Sequence, residues 1–77
     1  MKELERLRWR CRRGLLELDI VLKRFVDQDY EGLNFDQRVA FDVLLDLPDT
    51  VLWDMISGRK DAEELNQQAM LDKIRAV

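Results

Sequence analysis

The chain has no histidine, one cysteine, one serine, one proline and three glycines in 77 residues. Without histidine the usual Ser-His and Cys-His pairs of nucleophile and base cannot be assembled within it. A single thiol and no imidazole cannot supply the ligand set of a zinc site. The aspartates are scattered without the spacing of a calcium loop, and a solvated acidic surface accounts for them. Gly14, Gly32 and Gly58 stand alone, so there is neither a phosphate loop nor a dinucleotide fingerprint. No catalytic residue, metal ligand or tightly bound cofactor is therefore expected.

Long apolar runs are missing as well. No segment approaches the roughly 18 uninterrupted apolar residues of a membrane span. The N-terminus carries charge where a signal peptide needs its apolar region, and Glu3 and Glu5 argue against an organelle transit peptide. One cysteine allows no internal disulfide, which fits a reducing compartment and predicts a cytoplasmic protein. A chain this short buries only a modest core, with little room for an enclosed pocket and a catalytic apparatus. One domain over residues 1–77, serving as a small adaptor, is the expectation.

Charge is what the chain has in quantity, and it is unevenly placed. Residues 1–13 hold six basic and two acidic side chains, +4, whereas residues 14–77 hold seven and fourteen, −7. Such polarity can orient the molecule against a partner of matching pattern, within a screening length of about 8 Å at physiological salt. The acidic body disfavours nucleic acid as the main partner.

Apolar spacing predicts an all-α bundle of five helices. The first, about Lys2 to Arg12, places Leu4, Leu7 and Cys11 on one stripe and leaves Trp9 off it. After Gly14 a second helix runs from about Leu15 to Asp27, with Leu15, Leu18, Leu22 and Phe25 as its core face, widened by Val21 and Val26. A turn containing Tyr30 and Gly32 follows, and Asn34 with Gln37 forms a capping box for a third helix striped by Ala40, Val43, Leu44 and Leu47. Pro48 ends that helix, Asp49 opens or caps a fourth through Ile56, and Ser57-Gly58 closes it. Asp61 and Glu64, at capping-box distance, start a fifth helix to about Ala76. The connections are short and no repeat or linker interrupts them.

The most informative run is Trp9-Arg10-Cys11-Arg12-Arg13-Gly14-Leu15-Leu16-Glu17-Leu18-Asp19, where a basic segment breaks at glycine and passes into an acidic amphipathic helix. Two readings of Arg13, Gly14 and Glu17 stand side by side. On a continuous helix Arg13 and Glu17 would form an exposed i, i+4 ion pair with Gly14 as a joint. Alternatively, Gly14 admits the close approach of another backbone, flanked by a donor fork and an acceptor. Trp9 is either a core residue or, being off the stripe, an exposed interface anchor. Trp53, among Leu52, Met55 and Ile56, is expected in the core, and Cys11 is expected to be a small buried hydrophobe.

The block from Trp9 to Asp19, with Phe25 and the stretch Leu47-Pro48-Asp49-Thr50-Val51-Leu52-Trp53-Asp54 followed by Gly58, resembles the small bacterial succinate dehydrogenase assembly factors. The first block is specific, the second weak alone. Met55 stands where many relatives carry a second aromatic, and the region after Arg59 matches no distinctive motif. The resemblance implies a non-enzymatic, chaperone-like factor that promotes covalent attachment of FAD to the flavoprotein subunit. It also implies that FAD resides on the partner and not on this chain. Succinate dehydrogenase is the partner so implied, fumarate reductase a second candidate, and the free factor is expected to be a monomer without membrane insertion. Arg13, Gly14 and Glu17 are carried over as partner-binding residues, with Trp9, Arg12 and Asp19 beside them. An antitoxin-type protein binder is the rival reading, and a helical DNA-binding regulator using the Arg-rich first helix is a weaker one.

Overall fold

Helix α1 (Lys2–Arg10) ends just before Cys11, whose N–H still reaches the carbonyls of Leu7 and Arg8 at 3.1 and 3.2 Å. The computed structural model describes residues 2–77, with side-chain burial from residue 5 onward. Leu4, expected on the first stripe, lies outside the described side chains. Leu7 and Cys11 are buried, and Trp9 faces away from them. Two arginines strap α1 down. Arg8 reaches Asp27 at 2.8 Å on one side, and Arg10 reaches Asp42 and, at 2.8 Å, Asp46 on the other.

Helix α2 (Leu16–Asp29) buries one continuous face. Leu18, Leu22, Phe25 and Val26 are buried at i, i+4, i+7 and i+8, while Leu15 and Val21 pack at the edge of the core. A single 3₁₀ turn, Tyr30–Gly32, leads to α3 (Phe35–Leu45). The expected capping box is formed: Gln37 N–H donates to Asn34 Oδ1 at 2.8 Å, and Asn34 N–H donates to Gln37 Oε1 at 2.9 Å.

Helix α3 sits in a different rotation from the one its aliphatic spacing predicts. Ala40, Phe41, Leu44 and Leu45 are buried, whereas Val43, expected in the core, is exposed, and Leu47 packs only at the edge. Phe41 sets this rotation. Its ring lies 5.1 Å from Phe25 and 6.0 Å from Tyr30, both tilted, and an aromatic buries far more area than a valine.

Pro48 precedes α4 (Asp49–Ile56), where a missing N–H costs nothing because the first-turn donors have no helical partner. Leu52, Met55 and Ile56 are buried and Trp53 packs half-buried against them. Helix α4 closes at Gly58, which takes a φ of +88° while its N–H bonds Met55 O at 3.2 Å.

Helix α5 (Leu65–Arg75) buries Met70, Leu71 and Ile74 and packs against α3, α4 and α2. Its expected capping box is absent. Glu64 occupies the cap position without a side-chain bond, and Asp61 pairs with Arg75 at 3.2 Å. Arg75 also donates to the carbonyls of Met55 at 2.6 Å and Lys60 at 3.0 Å, drawing the α4–α5 loop, and Asp61 with it, toward the far end of the helix. Among the described residues no helix is long and apolar enough to cross a membrane.

Burial pushes the Cys11 thiol up to about 11, against an ordinary value of 9.0. The folded state thus retains its proton where the unfolded chain has lost it, and stability should fall as pH rises from about 9 to 11. The expected result is that Cys11→Ala flattens that decline in urea unfolding measured across this range. In the native protein at neutral pH, a thiol reagent should modify Cys11 no faster than the protein opens.

Candidate functional site

The elbow joining α1 and α2 is residues 11–15, and it is held from two sides. Arg12 N–H bonds Trp9 O at 3.0 Å, and the Arg13 N–H donates to Asp19 Oδ1 at 2.5 Å. The Arg13 side chain turns inward, with only 14% of it exposed. Its Nε donates to Asp49 Oδ1 at 2.6 Å, and its two terminal nitrogens donate to the carbonyls of Leu45 and Leu47. These carbonyls lie at the C-terminal end of α3, where unpaired carbonyls and the helix dipole both favour a cation.

The exposed ion-pair reading of Arg13 and Glu17 does not describe this geometry, and of the docking reading it removes only the outward donor fork of Arg13. The chain is not helical from Arg13 to Leu15, so no i, i+4 ion pair forms, and the donor fork faces the protein. Asp49 lies 36 residues away, which is why local spacing could not reveal the link.

Gly14 has a φ of +85°, and no atom lies within 4 Å of the place a Cβ would take. Its bare backbone is exposed to solvent. Glu17, in the first turn of α2, is exposed and pairs with no cation among the described residues. Trp9 is 68% exposed, and the Arg12 guanidinium lies over its ring at 5.2 Å from the centroid. A groove of about 370 Å³ runs between α1 and α2, lined by Arg8, Arg12, Asp19, Ile20 and Lys23 over the buried Cys11. Asp27, which pairs with Arg8 and Lys23, is held below the ordinary carboxylate range, first by its Lys23 hydrogen bond and then by the Arg8 charge.

The elbow thus gathers the six sequence-marked residues, with Trp9, Arg12, Gly14 and Glu17 exposed and Arg13 and Asp19 half-buried. Leu16 and Ile20, both exposed, enlarge its apolar surface. They were not marked in the sequence, although each falls off the Leu15/Leu18/Leu22/Phe25 stripe. A second exposed apolar stripe, Phe35, Val39 and Val43, runs along α3.

The one thiol of this elbow, Cys11, is buried beneath its surface. Residues 5–77 match the family model Sdh5, the flavinator of succinate dehydrogenase. The chain belongs to this family. A relative from Coxiella burnetii, named FAD assembly factor SdhE, is 38% identical over 95% of this chain and 89% of its own length. A second of that name, from Methylococcus capsulatus, is 40% identical over 100% of this chain and 93% of its own length, and one from Idiomarina loihiensis is 40% identical over 97% and 88%. The flavinator family is one of assembly factors, not of catalytic enzymes. No solved structure matches the chain significantly.

Proposed function

We propose that this chain docks on the flavoprotein subunit of succinate dehydrogenase through the α1–α2 elbow and promotes covalent attachment of FAD to that subunit. The observation that carries the reading is Gly14: an exposed, pinned backbone in a positive-φ conformation with open space above it, inside the run that resembles the assembly factors. Trp9 anchors the contact, Glu17 supplies an acceptor to the partner, and Arg13 and Asp19 hold the elbow in shape.

Having no histidine and only a buried, protonated thiol, the factor acts by ordering its partner. Docking favours the conformation in which FAD and the partner's attacking histidine are aligned, which lowers the barrier without a nucleophile from the factor. Fumarate reductase, which has a related flavoprotein, is a second candidate partner. FAD stays on the partner throughout. The test is in-gel flavin fluorescence of the flavoprotein produced with and without this chain: a covalent flavin band that depends on the chain is expected, and an equal band in its absence refutes the reading.

Glu17→Ala should lower flavinylation at least several-fold and leave the thermal unfolding temperature within a few degrees of wild type, because an exposed side chain off the core contributes little to stability. Flavin fluorescence and circular dichroism melting, run together, check both halves of this expectation.

A further inference from the structure

We propose that Asp49 and the α3–α4 corner act as a positioning device for the docking elbow, working through Arg13. This rests on the reading that the elbow docks on the flavoprotein, and it assigns a part to residues lying outside that surface. The guanidinium of Arg13 is bound on three sides by the corner: Asp49 Oδ1 takes Nε at 2.6 Å, and the Leu45 and Leu47 carbonyls take the terminal nitrogens. Its backbone N–H is fixed separately by Asp19 at 2.5 Å. The peptide entering Gly14 is therefore tied to α3, α4 and α2 at once.

Gly14 itself cannot supply that order. It has no side chain, and nothing packs against the position of its Cβ. An unpinned glycine would sample many conformations, and docking would then require only the fraction with the competent backbone, weakening the apparent affinity in proportion. Charge and shape both suit the corner to its role. A planar fork matches one carboxylate and two carbonyls, a geometry that a lysine ammonium reproduces poorly.

The test compares Asp49→Ala with wild type in two measurements on the whole chain: affinity for the purified flavoprotein, and ¹⁵N relaxation of the Gly14 amide in the free protein. A loss of affinity of about tenfold and a lowered Gly14 order parameter are expected, with partial recovery of both in Asp49→Glu. Ile74→Val, in the core of α5, serves as the control for stability alone and should lower the melting temperature without changing affinity or Gly14 relaxation. A folded Asp49→Ala protein with wild-type affinity and an unchanged Gly14 amide would overturn the proposal. If wild type itself fails to bind the flavoprotein, the docking reading falls, and the relaxation measurement alone decides whether the corner orders the elbow.

Discussion

Gly14→Arg should abolish docking on the flavoprotein, and with it the gain in flavinylation, while the isolated chain stays folded. Two effects are combined in that substitution and they can be separated. Any side chain at a φ of +85° strains the backbone, at a cost of about 1 to 2 kcal/mol. No neighbour stands within 4 Å of the new Cβ, so no clash inside the molecule is added. Gly14→Ala carries the same strain with almost no bulk. The arginine adds a long side chain at the point of closest approach, holding the surfaces apart and stranding polar groups such as Glu17. Each group left buried and unpaired costs roughly 1 to 3 kcal/mol, about 5- to 150-fold in affinity. The expected order of affinity is therefore wild type, then Ala, then Arg with binding lost, while Ala and Arg melt at similar temperatures.

Leu22→Ala should act in the opposite way, through stability and not through docking. Leu22 is wholly buried in the middle of α2, the helix that packs on α5 and leads through the 3₁₀ turn to α3. Truncation to alanine leaves a cavity and should lower stability by about 2 to 5 kcal/mol. For a domain of this size that corresponds to a fall in melting temperature of roughly 10 to 30 °C. Below its melting transition the variant should bind the flavoprotein with near-wild-type affinity, because the side chain has no exposed surface. Thermal unfolding followed by circular dichroism, with binding measured well below the midpoint, checks both expectations.

The parts of this structure that follow local rules were legible in the sequence. The α2 stripe, the Asn34/Gln37 box, the breaks at Gly14 and Pro48 and the exposure of Trp9 each depend on residues within a turn or two of one another. What was not legible depends on partners distant in the chain. The rotation of α3 is set by Phe41 meeting Phe25 and Tyr30, and only the packed molecule shows that this outweighs burying Val43. The start of α5 is displaced because Arg75 captures Asp61, 14 residues earlier. Arg13 is the most consequential case. A sequence offers its five donors to any acceptor, and the fold gives them to Asp49 and the Leu45 and Leu47 carbonyls. The elbow residues lie in one stretch of the chain, but local spacing could not show that the Arg13 side chain turns inward.

Hydrogen exchange of the full chain, alone and with purified succinate dehydrogenase flavoprotein, tests the central claim most directly. The account predicts slowed exchange concentrated in residues 12–20, the elbow and the first turns of α2, with the amides of the α3 stripe from Phe35 to Val43 unaffected. Protection confined to α3 and the start of α5, or no protection anywhere at saturating flavoprotein, would contradict it.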